Sequence, residues 1–261
     1  MQAAQHNEAA RLLLEAYNGT PIPPLTSTFD AFSAEDAYAI QLAQVAEWKK
    51  RGRVINGFKV GLTSLAVQKQ LGVDSPDFGH LFTDMYFLSG EAIPAGTYLQ
   101  PRAEPEIAFI LKKDLAGPGV TIADAIGAVD YVVASLEIVD SRVADWKITL
   151  ADTIADNASS GGVVLGTKPL KLEEVDLRTL GVNLYRNGQL AHTGAGAAVL
   201  GSPISSLVWL ANTLGALGTK MPAGSVVLPG AVTPMVPGNP GDTVTAVFNG
   251  LGSVTARFAS V

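Results

Sequence analysis

Three carboxylates set in apolar, strand-like runs constrain this chain more than any other feature. Glu104-Pro105-Glu106 opens the run Ile107-Ala108-Phe109-Ile110-Leu111, and Glu137 sits within Tyr131-Val132-Val133-Ala134-Ser135-Leu136-Glu137-Ile138-Val139. A carboxylate in a buried strand is costly unless something compensates its charge. Residues i and i+2 of a strand share a face, so Glu104 and Glu106 can converge on one point. The pair alone fits a solvated strand face better than a metal site, since acids are usually exposed. Glu137 shifts that balance, because five of the six residues before it are apolar or aromatic. Three acids aimed at one point repel unless a cation lies between them. Oxygen ligands of this kind suit a hard divalent ion, Mg²⁺ or Mn²⁺, with Glu104, Glu106 and Glu137 as its ligands.

Composition removes whole classes of chemistry. The chain has no cysteine, which excludes disulfides, thiolate catalysis and zinc–cysteine sites. Of its three histidines, His6 falls in the first predicted helix, and His80 and His192 are too few for a histidine-rich metal site. A formal charge of −6, with no basic run or basic–aromatic stripe, argues against nucleic acid as a partner. No uninterrupted apolar stretch reaches the length of about 20 residues that a bilayer span requires. The N-terminus, Met1 to Tyr17, reads as an amphipathic helix, without the basic start and apolar middle of a signal peptide. The expectation is a soluble cytoplasmic protein with a small-molecule substrate and no membrane or nucleic-acid partner. At 261 residues and 48% hydrophobic, it can form one large domain or a small one beside a larger one.

Along the chain, a first helix should stop at Asn18-Gly19, and Pro21, Pro23 and Pro24 then force an extended connection. Ser33-Ala34-Glu35-Asp36 should cap a second helix running to about Arg51, with Tyr38, Leu42, Val45 and Trp48 inward. From Val54 the pattern changes to short strands and glycine-rich turns. Candidate strands are 54–60, 104–111, 131–139, 182–186, 189–193, 225–228, 243–248 and 253–259, with Asn187-Gly188 as a hairpin turn. Helices are predicted from Thr121 to Val129, and from Ser202-Pro203 to about Leu217. The organisation implied is a helical N-terminal part, 1–53, followed by a β-rich metal-binding catalytic domain, 54–261, in an α+β fold.

Other segments carry weaker signals. Gly194-Ala195-Gly196-Ala197-Ala198 lacks the helix and βαβ unit of a dinucleotide site and reads as a structural turn or pocket wall. No Gly-x-Ser-x-Gly elbow or phosphate-binding loop is present. Lys59, within Gly57-Phe58-Lys59-Val60-Gly61, fits an exposed strand lysine or a cation lying along a pocket toward an anionic substrate. Asp77, within Ser75-Pro76-Asp77-Phe78-Gly79-His80, fits a turn former or an acid–base group. Asp156-Asn157-Ala158-Ser159-Ser160-Gly161-Gly162 can grip a carboxylate or end a helix in a glycine turn.

Taken in order, five segments form a pattern. Lys59-Val60-Gly61-Leu62-Thr63-Ser64, Pro76-Asp77-Phe78-Gly79-His80-Leu81, Pro101-Arg102-Ala103-Glu104-Pro105-Glu106-Ile107-Ala108-Phe109, Leu136-Glu137-Ile138-Val139-Asp140-Ser141-Arg142 and Ala155-Asp156-Asn157-Ala158-Ser159-Ser160 succeed one another. From about Pro21 to Phe258, the chain resembles the 2-hydroxypenta-2,4-dienoate (2-oxopent-4-enoate) hydratases of meta-cleavage pathways. Their family includes the 4-oxalocrotonate decarboxylases and shares the fumarylacetoacetate hydrolase fold. The resemblance implies a β-rich roll holding Mg²⁺ or Mn²⁺ at Glu104, Glu106 and Glu137, preceded by a smaller helical part. In the distant hydrolases the third ligand is an aspartate, whereas this chain has Glu137.

By the same match, Lys59 and Asp77, with His80, occupy catalytic positions. Ser160, Asn157 and Leu81 occupy substrate-binding ones. Asp77 favours the hydratase branch, because the decarboxylases typically carry an apolar residue there. Glu174-Val175-Asp176-Leu177-Arg178-Thr179-Leu180-Gly181 and Gly194–Gly201 look at least as much like the decarboxylase side. The implied activity is hydration of 2-hydroxypenta-2,4-dienoate, or a longer homologue, to a 4-hydroxy-2-oxoalkanoate in aromatic or steroid catabolism. The alternatives are 4-oxalocrotonate decarboxylase, a fumarylpyruvate-type hydrolase and a non-catalytic partner subunit. The resemblance also implies a homo-oligomer; a pathway aldolase or decarboxylase is a candidate partner that no residue here identifies.

Overall fold

Capping signals and apolar runs place most of the elements. A computed structural model describes residues 1–29, 32–71 and 73–261. Helices α1 (Ala3–Ala16), α2 (Leu25–Thr28) and α3 (Ala34–Lys50) come first. Ser33 caps α3 by accepting from the Asp36 N–H in a reciprocal capping box. His6 belongs to this helical part, with its Nε2 2.7 Å from Asp36 Oδ1. The inward face of α3 differs in one position from the expectation: Leu42 is exposed, and Ile40, Gln41, Gln44, Val45 and Trp48 are buried. Gln41 and Gln44 go inward because their amides donate to main-chain carbonyls of Ile154 (2.8 Å) and Ala155 (2.6 Å).

Strands then dominate. In chain order come β1 (Ile55–Gly61), α4 (Leu65–Leu71), β2 (Asp77–Phe82), β3 (Tyr86–Leu88), β4 (Ala92–Ile93), β5 (Arg102–Leu111), α5 (Ile122–Ala128) and β6 (Val129–Val139). They are followed by α6 (Leu150–Ala155), β7 (Ser160–Leu165), β8 (Gly181–Arg186), β9 (Gln189–Ala195), α7 (Pro203–Ala216), β10 (Val226–Leu228), β11 (Val236–Pro237), β12 (Thr243–Phe248) and β13 (Gly252–Phe258). The larger sheet runs β2-β1-β10-β5-β6-β7-β3, with β11 also paired to β5, and the smaller runs β4-β13-β12-β8-β9. Strands β2 and β7 lie where the sequence reads as turns and small residues.

Alternation along the large sheet sorts its two faces. Phe58, Val60, Phe78, Ile107, Phe109, Leu136 and Ile138 point into the main core, which also takes up Val244, Ala246, Val254 and Ala256 of the smaller sheet. Ala108, Val133, Val226 and Leu228 point the other way, to a second cluster with Val45 and Trp48 of α3. A third cluster joins Ala9, Leu13 and Ile40 of the first helices to Ile154 and Ala155 of α6.

The stretch Gly196–Ala216 is long and apolar enough to cross a membrane by composition. Its backbone breaks at Leu200 (φ 45°) and Gly201 (φ 77°), which leaves the 14-residue α7. At 1.5 Å per residue that helix is about 21 Å long, short of the roughly 30 Å hydrocarbon layer. Leu207, Leu210, Ala211 and Leu214 place it in the main core instead. Gly194–Ala198 is the end of β9 and a single 3₁₀ turn, not a nucleotide loop.

Candidate active site

On the second face of the large sheet, polar residues replace the apolar ones at one end. Glu104 of β5 is the direct cross-strand partner of Glu137 of β6, and Glu106 follows two positions on. Ligand oxygens from these three acids lie within 4.8 Å of one another. Glu106 and Glu137 are fully buried, and Glu104 is half-buried. Glu106 accepts one hydrogen bond, from the Gly230 N–H at 2.7 Å. Its other oxygen and both oxygens of Glu137 accept none. Buried oxygens without donors, all hard and anionic, are the ligand set that a divalent cation needs. Burial and then mutual repulsion push these carboxyls up, Glu104 to about 7 and Glu106 well above the carboxylate range.

Lys59 joins them from β1. Its Nζ donates to the Ala158 carbonyl at 2.8 Å and lies 3.1 Å from Glu137 Oε1, in ion-pair range but off the hydrogen-bond direction. Burial disfavours the ammonium, but Glu137, Asp77, Glu104 and Glu106 outweigh it and hold the lysine charged. Asp77 opens β2 opposite Gly61, two steps from the Lys59–Gly79 pair, so both side chains share the carboxylate face. It is buried, its Oδ1 has no partner, and burial pushes its carboxyl up against the pull of Lys59. Gly61 leaves the space that the Asp77 carboxyl occupies, since a Cβ at that position would lie 2.1 Å from Asp77 Oδ1.

The acceptor of Lys59 belongs to a strained turn. Asn157, Ala158 and Ser159 have φ of 53°, 52° and 52°, a left-handed path that costs about 1–2 kcal/mol per L-residue. Arg142 clamps both ends of it. Its Nε donates to Asp156 Oδ1 (2.6 Å), Nη2 to the Asp156 carbonyl (3.0 Å) and Nη1 to the Ser160 carbonyl (3.1 Å). The Asn157 side chain pins the turn to β2 by accepting from the His80 N–H (2.8 Å) and donating to its carbonyl (2.9 Å).

Lys59, Gly61, Asp77, Glu104, Ala158 and Ser159 line a cavity of about 690 Å³. The structure therefore brings Lys59, Asp77 and the three glutamates to one place. It does not bring the other four expected residues to the cavity. His80 is an odd number of residues from Asp77, so it points to the opposite face, with its ring 5.3 Å from that of Phe58 and 5.9 Å from that of Phe78. Burial pushes its pKa down to about 4. Leu81 packs in the apolar cluster with Val45 and Trp48. Asn157 acts through the backbone of His80, and Ser160 faces a separate cavity of about 160 Å³ with Asp140 and Arg142. The serine of the main cavity is Ser159, 3.2 Å from Thr153 Oγ1.

Several wall residues carry no sequence signal: Thr26, Phe32, Val73, Trp146, Ile148 and Met235. Asp152 brings the N-terminal part into the wall, because it caps α6 with Thr149 and also accepts from Thr26 Oγ1 at 2.8 Å. A cluster of residues near Asp140-Ser141-Arg142 is legible only as part of the family pattern, and its function as a clamp is visible only in the fold.

Comparison with known proteins agrees with this geometry. The chain is 48% identical over 261 residues to the 2-keto-4-pentenoate hydratase of Paraburkholderia xenovorans (strain LB400), covering 100% of this chain and 97% of that one. It is 42% identical over 253 residues to the 2-hydroxyhexa-2,4-dienoate hydratase of Comamonas testosteroni, covering 96% of each. Among solved structures it is similar to the 4-oxalocrotonate decarboxylase of Pseudomonas putida G7 complexed with magnesium and adipate. That match has a TM-score of 0.95 at 39% identity and covers 99% of this chain and 98% of the other. Residues 57–259 match the model of the fumarylacetoacetate (FAA) hydrolase C-terminal family, and the chain belongs to that family.

Proposed function

We propose that this chain is a metal-dependent hydro-lyase of meta-cleavage catabolism. It adds water to 2-hydroxypenta-2,4-dienoate, or an alkyl homologue, to give a 4-hydroxy-2-oxoalkanoate. The observation that carries this reading is the buried Asp77 carboxyl beside the buried Lys59 ammonium, on the wall of a cavity that also holds Glu104. Full-length identity of 42–48% to proteins named as dienoate hydratases supports it.

Glu104, Glu106 and Glu137 would hold the ion, Mg²⁺ or Mn²⁺. Such a cation, when bound, supplies Lewis acidity toward the substrate's carboxylate and C2 oxygen. Lys59, fixed by Ala158, adds a positive charge that stabilises negative charge developing on the C2 oxygen. Ketonisation of the dienol moves the hydroxyl proton's equivalent to C5 and leaves a 2-oxo-3-enoate. Water then adds its oxygen to C4 and a proton to C3, so the balance is one water gained. Asp77, with a raised pKa and a free Oδ1, exchanges protons with this water and orients it toward C4. Gly61 leaves room for that carboxyl to work.

The test is an ultraviolet assay of purified protein with Mg²⁺ and 2-hydroxypenta-2,4-dienoate, with EDTA controls. EDTA-sensitive loss of dienol absorbance, with 4-hydroxy-2-oxopentanoate as product, is expected. Release of CO₂ from 2-oxohex-3-enedioate at a comparable rate would instead place the chain with the decarboxylases.

A further inference from the structure

Resting on the hydratase reading, we infer that the cavity's far end is a chain-length subsite. It accepts alkyl-extended 2-hydroxydienoates and rejects a second carboxylate. The charged residues on the cavity wall, among those described, are Lys59, Asp77 and Glu104. All three belong to the sheet face that holds the acid cluster. Thr26 and Thr149 on the wall donate from their hydroxyls to Asp152, and Thr153 shares a hydrogen bond with Ser159. The apolar part of the wall includes Phe32, Val73, Trp146, Ile148, Leu150 and Met235. Each of these six is only half-buried, so each leaves apolar surface turned to the cavity. The space is also larger than a five-carbon acid requires, since about 690 Å³ falls among pockets that hold drug-sized ligands, about 300–1,000 Å³.

One further cation touches this wall, and it is engaged. Arg102 shares the face of Glu104, but its guanidinium stacks on Trp146 at 4.4 Å and lies 3.9 Å from Met235 Sδ. Trp146 is itself held, donating from Nε1 to the Gln100 carbonyl at 3.0 Å in a left-handed backbone (φ 56°). A diacid anchored by one carboxylate at the acid cluster would therefore bury its second among apolar side chains and hydroxyls already engaged, with no free cation among the described wall residues to meet it. Such a charge is strongly disfavoured. An alkyl tail in the same place gains about fourfold in affinity per methylene buried.

The measurement is calorimetric binding of unreactive 2-oxo acids to the Mg²⁺-loaded full chain: 2-oxopentanoate, 2-oxohexanoate, 2-oxoheptanoate and the diacid 2-oxoadipate. Turnover of the matching dienoates is followed in parallel. Affinity should rise about two- to fourfold per added methylene, and 2-oxoadipate should bind at least about tenfold more weakly than 2-oxohexanoate. Ile148→Arg should narrow or reverse that preference, and Val73→Lys serves in its place should the first variant not fold. A flat chain-length series, or 2-oxoadipate binding as well as 2-oxohexanoate, would overturn the subsite and point to Arg102 swinging inward. Absence of dienoate turnover with the binding series intact would break the hydratase reading and leave the subsite standing.

Discussion

The two faces of the large sheet are built from the same strands and obey opposite rules. On one face Phe58, Val60, Phe78, Ile107 and Phe109 interdigitate with the smaller sheet, and packing is the whole of their role. On the other, Lys59, Asp77, Glu104, Glu106 and Glu137 crowd charges together and leave carboxyl oxygens without donors. That face is stable only because its neighbour is well packed. Strain and repulsion are tolerated one residue away from a close-packed core, and the period of two keeps them apart. Phe58–Lys59–Val60–Gly61 shows the separation within four residues, as burial, charge, burial and clearance alternate.

The largest effect should come from the charged face. Asp77→Asn keeps shape and removes the titrating proton, so kcat should fall roughly 10²–10⁴-fold while metal and 2-oxo acid binding persist. Full activity in that variant, measured with the dienoate, would remove Asp77 from the mechanism.

His80 tests the other face of the same strand. Its pKa lies at about 4 rather than 6.5 because burial disfavours the imidazolium. Between those values the unfolded chain takes up a proton that the native chain refuses. The His80 contribution is therefore complete above pH 6.5 and is lost as pH falls toward 4, by about 3 kcal/mol. His80→Phe should flatten that part of the stability profile in denaturant titrations between pH 7 and 4. Its activity should stay within a few-fold of wild type, because Asn157 holds residue 80 through its main-chain N–H and carbonyl, which the substitution keeps. A loss of activity like that of Asp77→Asn would mean the two faces are not separate.

The acid cluster supplies an intermediate effect. Mg²⁺ at 100 times its Kd should stabilise the native chain by about 2.7 kcal/mol, read as a rise in melting temperature. Glu106→Gln keeps an acceptor for Gly230 and removes an ionisable carboxyl whose charge burial and the neighbouring glutamates disfavour. Metal affinity should drop at least about tenfold, while the metal-free protein becomes more stable by roughly 1–2 kcal/mol. Equal Mg²⁺ response in both proteins would remove Glu106 from the ligand set.

How much of this was legible depended on which signal each residue carried. Strands β5 and β6 are long apolar runs, so their positions and the shared face of Glu104 and Glu106 follow from periodicity, whereas the register that sets Glu137 opposite Glu104 comes from the fold. Strands β2 and β7 contain Gly79, Gly161 and Gly162, and Pro76 precedes β2, so they read as turns. The structure shows that these glycines serve close approach. A Cβ on Gly79 would lie 2.4 Å from the Asn157 carbonyl oxygen, and one on Gly162 would meet the Tyr98 hydroxyl. Reading residues 77–80 as a turn hides the parity that separates Asp77 from His80. The turn at 157–159 was hidden for another reason: its left-handed backbone uses no glycine and is held by Arg142 from outside and by the bonds of the Asn157 side chain to β2. The cavity wall gathers Phe32, Val73, Trp146 and Met235 from four distant segments, and no local pattern announces such an assembly.

Adjacent residues of β1 give the smallest effect on stability and the sharpest test of the comparison. A methyl on Gly61 meets the movable end of a side chain, Asp77 Oδ1, and not backbone. Gly61→Ala should therefore change stability by less than about 1 kcal/mol, because the carboxyl can rotate away. The same rotation takes the acid from its working position, and kcat should fall roughly tenfold or more. Val60, one residue earlier and 1% exposed, faces the core. Val60→Ala should cost roughly 2 kcal/mol in denaturant unfolding and leave kcat within a few-fold. Opposite signatures from neighbouring positions are what a two-period division of labour requires. Parallel losses of stability and activity in both variants would show that the charged face is positioned by the whole core rather than by its own contacts.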